Sequence, residues 1–154
     1  MKTKQSIWIT YSQVAIFQSD LENPFNDWTT VDAMQGFAWR PQSVSFRTLE
    51  QDGNMRVAID LRDTFEKINA NALRAIRVPF SVKGITEVAS ISEGFKFEVP
   101  DGDFSLYFET GRDAEGMWSL LTFVKQYNSD AEILVCDGQL KPGKTLLMTA
   151  NPAT

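Results

Sequence analysis

The stretch FKFEVPDGDFSLYFET, residues 95–110, alternates apolar and polar side chains on both sides of a turn signal. Its apolar positions are Phe95, Phe97 and Val99 in the first half and Phe104, Leu106 and Phe108 in the second. A period of two is typical of a strand that buries one face and exposes the other. Pro-Asp-Gly-Asp at residues 100–103 is typical of a turn. The stretch therefore predicts two antiparallel strands joined as a hairpin.

The same alternation recurs along the chain, in residues 43–47, 56–62 and 76–83. Turn signals separate most of these runs, at a spacing that suits a β-sandwich. Less regular apolar runs predict a buried strand at residues 117–124 and closing strands at 133–136 and 145–149. The sequence thus predicts an all-β fold, an antiparallel β-sandwich of about eight to ten strands.

A strand-like run near the start, ITYSQVAIFQ at residues 9–18, shifts the phase of its alternation around Gln13. Two explanations stay open. The shift indicates either a β-bulge or a strand that is buried on both faces.

One short helix is predicted in the N-terminal half, from about Trp28 to Gln35. Asp27 or Thr29 is suited to the N-cap, Asp32 falls in the first turn, and Gly36 provides the stop. A weaker helix is predicted at residues 64–72, where two asparagines lower the helix propensity.

Composition favours one compact, soluble domain. The chain has 154 residues, of which 43% are hydrophobic, enough to bury a core without disulfides or metals. Repeats and low-complexity tracts are absent, so residues 1–154 are predicted to form a single β-sandwich domain. Because no apolar run approaches a membrane span, we expect a cytoplasmic protein without membrane insertion. The lone Cys136 follows apolar residues and is predicted to be buried.

The chain contains no histidine, which removes the commonest general base and metal ligand and argues against an enzyme. Charge is uneven. Residues 84–140 contain 11 acidic and 3 basic residues, a net charge of −8. Such a surface repels nucleic-acid phosphates and attracts basic protein surfaces, although solubility alone is an alternative explanation. Direct nucleic-acid binding is therefore not expected.

GQLKPGKT, residues 138–145, matches the phosphate-binding P-loop pattern. That loop must open a helix whose N-terminal amides hold the phosphates. Only nine residues follow, and they are β-like and include a Pro. A hairpin turn with Pro142 and Gly143 at its tip is the preferred interpretation.

Five carboxylates surround the predicted hairpin and the strand after it, and the sequence allows them to gather at one end of a sheet: Glu98, Asp101, Asp103, Asp113 and Glu115. Calcium needs six or more oxygen ligands on a shaped loop, and Pro-Asp-Gly-Asp is already explained as a turn. We therefore predict no cofactor and no metal. The five residues are instead candidates for binding a basic protein partner.

Trp28, Trp39 and Arg40 are further candidates for partner binding. Tryptophan and arginine dominate the energetics of protein interfaces, and Trp39 and Arg40 are adjacent. Packing in the core is the alternative for the tryptophans, and an ordinary surface position is the alternative for Arg40.

Two blocks of sequence resemble a known family. In the first, ITYSQVAIFQ leads through Asp27-Trp28-Thr29 into QGFAWRPQSVSF at residues 35–46. In the second, VPDGDFSLYFET at residues 99–110, a Pro and a Gly precede an aromatic residue and a later Thr. Both resemble the competence protein J family, inhibitors of a bacterial DNA-entry nuclease. The resemblance does not reach into residues 111–154.

The resemblance implies a non-enzymatic inhibitor whose partner is a nuclease protein. Combined with the acidic charge, it suggests that the chain covers the nuclease's DNA cleft and competes with phosphate. The rival hypothesis is a β-sandwich module that binds a lipid, sugar or other small ligand, which predicts a deep pocket or bound calcium. An enzyme is the third hypothesis and predicts a cleft with converging acids of raised pKa.

Overall fold

The computed structural model describes residues 2–154. Its elements in chain order are β1 (Lys2–Ile9), β2 (Gln13–Gln18), α1 (Thr30–Gln35), β3 (Phe37–Arg40), β4 (Ser43–Arg47), β5 (Gly53–Arg62), β6 (Arg74–Val82), β7 (Thr86–Ala89), β8 (Gly94–Phe97), β9 (Gly102–Asp113), β10 (Gly116–Val124) and β11 (Glu132–Val135). One sheet has six strands in the order β1-β5-β10-β9-β6-β11, and the other has five in the order β3-β4-β2-β7-β8. The predicted β-rich sandwich with one short helix is confirmed, with eleven strands where eight to ten were expected.

Aromatic rings join the two sheets across the core. Phe46 of β4 stacks on Phe108 of β9, with ring centroids 4.4 Å apart. The ring of Phe123 lies 5.7 Å from Phe97 in the opposite sheet and 5.8 Å from Phe104 in its own sheet. Phe46, Phe97, Phe104 and Phe108 are apolar positions of alternating strands, and Phe123 belongs to the less regular buried run, so the inward faces of both sheets meet as the sequence predicts.

The predicted hairpin at residues 95–110 is wrong. β8 pairs with β7 in the five-stranded sheet, whereas β9 pairs with β6 and β10 in the six-stranded sheet. Residues 98–101 therefore cross from one sheet to the other. The physical reason is that Phe97 and Phe104 contact the same ring, Phe123, from opposite sides of the core, so the two strands face each other.

The phase shift near Gln13 has a clear cause. Tyr11 and Ser12 have φ of 57° and 56°, so a tight turn ends β1 and the run at residues 9–18 is two strands rather than one. β2 is then buried on both faces, because Phe17 packs on its second face against Phe25, at a ring distance of 5.9 Å. Neither open explanation accounts for the phase shift itself, which results from the turn, but burial on both faces holds for β2.

Helix α1 forms as predicted but begins two residues later. Thr29 is the N-cap, and its hydroxyl accepts a hydrogen bond from the N–H of Asp32 at 3.1 Å. The carboxylate of Asp32 accepts from the N–H of Thr29 at 3.0 Å, which completes a capping box. Gly36 ends the helix with φ of 90°, a conformation that disfavours any residue with a Cβ.

The connection between β5 and β6 crosses the outer face of the six-stranded sheet, over β10 and β9. The weaker helix predicted at residues 64–72 is absent there, because the side chain of Asn69 accepts a hydrogen bond from the N–H of Asn71 and forms a turn instead. Phe65 stacks on Tyr107 with ring centroids 3.8 Å apart. This route leaves β5 and β10 parallel, while the other pairs of the described strands are antiparallel.

Residues 136–154 form an extended strap rather than the predicted closing strand and hairpin. No helix follows the P-loop match, and Pro142 and Gly143 lie in irregular chain. Leu140 is buried beside Gly36, and the side-chain amide of Gln35 bonds both backbone groups of Leu147, at 2.9 and 2.8 Å. Tertiary contacts rather than local propensity hold this segment.

Two predictions about buried groups are corrected. Cys136, expected in the core, is exposed, because β11 ends before it at an edge of the sheet. The expectation that Arg74, as a basic residue, lies outward on its strand is also wrong, because it lies on the same face of β6 as Ile76 and is fully buried. Its guanidinium donates to both carboxylate oxygens of Asp137, at 3.0 and 2.9 Å, and to the carbonyl oxygen of Arg47 at 2.6 Å. Burial lowers the pKa of Arg74, and the carboxylate of Asp137 opposes that shift.

No helix among residues 2–154 is long and apolar enough to cross a membrane.

Glu109 of β9 is buried under the chain that connects β5 and β6, where its carboxylate accepts a hydrogen bond from the N–H of Asn69 at 2.6 Å. Burial raises the pKa of Glu109, and this hydrogen bond offsets part of that rise.

The Arg74 ion pair predicts a large loss of stability when its carboxylate is removed. We expect Asp137→Ala to lower the free energy of unfolding by about 2 to 3 kcal/mol, because a buried guanidinium would lose its charged partner. The loss should fall at the low end of the usual range, since 21% of the Asp137 side chain is exposed. Urea unfolding measures the change. The control is Asp130→Ala at an exposed residue, expected within about 0.5 kcal/mol; equal effects of the two changes would contradict the assignment.

Glu109 predicts a pH-dependent cost to folding. A carboxyl whose folded pKa is raised destabilises the fold as pH rises from its unfolded value through its folded value. Glu109→Gln keeps an acceptor for Asn69 and removes the charge, so at pH 7 it should raise the free energy of unfolding on the order of 1 kcal/mol. The gain should vanish near pH 4. Thermal unfolding from pH 4 to 8 measures it, with the exposed Glu66→Gln as control; a gain independent of pH would refute the explanation.

Candidate protein-binding surface

The predicted acidic cluster is divided between the two ends of β9. The strand is 12 residues long, and Asp103 lies near its start and Asp113 at its end. At about 3.3 Å per residue the two carboxylates are roughly 35 Å apart. Of the five acids that the sequence allowed to gather at one end of a sheet, Glu98, Asp101 and Asp103 do so, whereas Asp113 and Glu115 lie at the other end of an extended strand.

Three loops meet where β9 begins. The loop after β2 reaches the loop between β6 and β7, where the N–H of Ser19 donates to the carbonyl oxygen of Ile85 at 2.9 Å. The chain that crosses between the sheets contacts the same loop, since the N–H of Gly84 donates to the carboxylate of Asp101 at 2.8 Å. We call this surface the acidic end. Its exposed residues are Asp20, Ile85, Glu98, Asp101 and Asp103.

The carboxylates of the acidic end keep their charge available. Among residues 3–154, whose side chains the structure describes, Asp20, Glu98, Asp101 and Asp103 take part in no ion pair within 4 Å. Asp101 is fixed by the N–H of Gly84, and Asp103 accepts from the hydroxyl of Ser81 at 2.5 Å. These bonds hold the acids in place without neutralising them, and exposed Lys83 is a cation beside them.

At the opposite end of β9, Asp113 and Glu115 both form ion pairs with one arginine, which offsets one of their two negative charges. The guanidinium of Arg56 lies 2.5 Å from Asp113 and 3.3 Å from Glu115. The hydrogen bond from Arg56 lowers the pKa of Asp113, so this carboxylate is charged but already partnered. The two ends of β9 carry similar acids with different electrostatic roles.

Trp28, Trp39 and Arg40 do not form one surface. Trp39 is half-buried against the core, where its indole N–H donates to the carbonyl oxygen of Pro79 at 2.8 Å. The indole of Trp28 donates to Gln13 at 3.2 Å, near the far end of β2. Arg40 lies toward the acidic end and donates to Asn26 at 2.6 Å. Their role in partner binding stays a prediction.

The described residues form open grooves rather than a deep enclosed pocket. One groove of about 510 Å³ lies on the outer face of the six-stranded sheet, beside Lys4, Arg56 and Trp118. Another, of about 410 Å³, lies between Ile85 and Glu98 at the acidic end. No group of three or more Asp, Glu or Cys side chains in residues 2–154 is placed to hold a metal ion. A specific small-ligand site gains no support from these shapes.

Sequence reasoning missed Asp20 and Ile85 at the acidic end. Asp20 follows β2 by two residues, and Ile85 is 38% exposed between two strands. The only local signal was the turn at Lys83-Gly84, which gives no information on which other loops lie beside it. Their proximity results from long-range pairing of β2 with β7.

Comparisons with known proteins agree with one another. The family model described as competence protein J matches residues 6–124. A DNA-entry nuclease inhibitor of Bacillus subtilis (strain 168) is 31% identical over 105 residues, which span 66% of this chain and 76% of that protein.

Two solved structures share the fold. The crystal structure of ComJ from Bacillus subtilis, described as an inhibitor of the DNA-degrading activity of NucA, has a TM-score of 0.67 at 24% identity. The match covers 79% of this chain and 94% of that one. A structure described as crocagin biosynthetic gene J has a TM-score of 0.54 at 13% identity, over 82% of this chain and 99% of that one.

Both blocks that carry the resemblance, residues 9–46 and 99–110, lie within the matched region. The match also includes residues 47–98 and continues to residue 124, so the expectation of no resemblance in residues 111–154 is wrong for residues 111–124. With a family match over more than half of its length and a relative above 30% identity, this chain belongs to the competence protein J family.

Proposed function

We propose that this chain is a protein inhibitor of a bacterial DNA-entry nuclease, and that it acts by binding the nuclease and covering its DNA cleft. Membership of the competence protein J family supports the inhibitor function, as does the relative named a DNA-entry nuclease inhibitor. The acidic end supports the choice of surface. We assign the contact to Glu98, Asp101 and Asp103, with Asp20 beside them.

The single observation that carries the mechanism is the lack of ion-pair partners at the acidic end. A nuclease cleft must hold a polyanion, so it presents basic side chains. Fixed, unpaired carboxylates complement that surface and speed the encounter between the two proteins. Asp113 and Glu115 are less suited, because both are already ion-paired with Arg56, which offsets part of their charge.

The proposed mechanism is stoichiometric and non-enzymatic. The chain has no histidine to serve as a general base, and its acidic end repels DNA phosphates, so the nuclease rather than DNA is the partner. The proposed compartment is the cytoplasm, where an exposed thiol such as that of Cys136 stays reduced.

The test is a titration of this protein into a DNA-entry-type nuclease encoded beside it, with DNA cleavage as the readout. The double variant Asp101→Asn, Asp103→Asn keeps both acceptor oxygens and removes both charges. We expect near-stoichiometric inhibition by the wild type and association slowed about tenfold at low salt in the variant. The difference should shrink as salt screens the charges.

The matched control removes two charges at the far end of β9, with Asp113→Asn and Glu115→Gln. Its association rate should stay within about twofold of the wild type. Undiminished cleavage with no complex at micromolar protein would overturn the inhibitor function. Inhibition with equal effects of the two double variants would leave that function standing and overturn the choice of surface.

A further inference from the structure

The C-terminal part of this chain lies beyond the family match and reaches the acidic end. The family model stops at residue 124, and about a fifth of the chain has no counterpart in the Bacillus subtilis structure. Residues 125–130 directly follow β10, whose last residue, Val124, pairs with Ser105 near the start of β9. Asp103 is two residues from Ser105, about 7 Å along the strand.

This loop is held firmly at both sides of one aromatic residue. The hydroxyl of Ser105 donates to the carbonyl oxygen of Gln126 at 2.9 Å and accepts from the N–H of Asn128 at 2.8 Å. Tyr127 lies between these two anchors. The loop is fixed further by the N–H of Lys125, which donates to the carbonyl oxygen of Arg62 at 2.9 Å.

Tyr127 is nonetheless 49% exposed, and none of the described residues forms a hydrogen bond with its side chain or stacks on its ring. Burying half of an aromatic side chain on a partner stabilises a complex, and a loop that is already ordered loses little entropy on binding. Tyrosine is also among the residues that most often dominate interface energetics. An exposed tyrosine on a rigid loop beside fixed charges has the properties of an interface anchor.

We infer that Tyr127 is an anchor residue that packs on the nuclease beside its basic cleft. The inference rests on the proposed function and deepens it, since the carboxylates speed association with the nuclease and the ring slows dissociation. Because the neighbouring acids repel phosphate, a protein surface suits this ring better than a nucleobase.

The experiment compares dissociation of the nuclease complex for the wild type, Tyr127→Ala and Tyr127→Glu. We expect both variants to weaken binding about 10- to 100-fold, mainly through faster dissociation. Tyr127→Glu distinguishes the contribution of the aromatic ring to binding from that of a negative charge at the same position. If added negative charge were all that the partner needed at this position, that variant would bind as tightly as the wild type or more tightly, and the inference would be overturned.

The matched control is Tyr11→Ala, which removes a tyrosine 70% exposed at the opposite end of the sandwich. It should bind within about twofold of the wild type, and thermal unfolding should show all variants folded. If the wild type inhibits the nuclease and Tyr127→Ala binds it as tightly as the wild type, this inference alone is overturned. A wild type that forms no complex overturns the proposed function and the inference together.

Discussion

The packing of Phe97 from one sheet and Phe104 from the other on the same ring, Phe123, is the constraint on which the arrangement of the molecule depends. It requires the chain to leave one sheet at β8 and enter the other at β9, within the few residues between them. Those residues cannot fold back as a hairpin, so they span the end of the sandwich and expose Glu98 and Asp101. The aromatic core thereby determines where the acidic end lies.

Strand β11 and the strap that follows it have a second structural role, which is to cover sheet edges. β11 pairs with β6, and farther along the N–H of Ala150 donates to the carbonyl oxygen of Trp39 in edge strand β3, at 2.9 Å. Unpaired edges promote association between chains, and covering them limits it. The buried pair of Arg74 and Asp137 fixes the strap near its start. A part of the chain outside the family match has therefore become part of the packing of this protein.

Local features were predictable from the sequence and long-range ones were not. The capping box of Thr29 and Asp32 and the stop at Gly36 lie within eight residues, so sequence alone located helix α1. The turn at residues 100–103 was recognised as a break between strands, but sheet membership depends on contacts with Phe123. The single-domain organisation of residues 1–154 stays a prediction.

The candidate site shows the same limit. Glu98, Asp101 and Asp103 were identified by their charge. Asp113 was grouped with them, but the 12 residues of β9 place it at the opposite end of the strand. Ion pairing was the decisive property, and it depends on where Arg56 lies, which no spacing along the chain reveals. The residue types and the family could be identified from the sequence, whereas the fold determines which carboxylates are free of ion pairs.

Amide hydrogen exchange of the nuclease complex tests the central claim most directly. The account predicts slowed exchange at residues 83–85 and 98–103 on binding, with residues 125–130 protected as well, and unchanged exchange at residues 113–116. Protection confined to residues 113–116, with the acidic end exchanging as in the free protein, would contradict it.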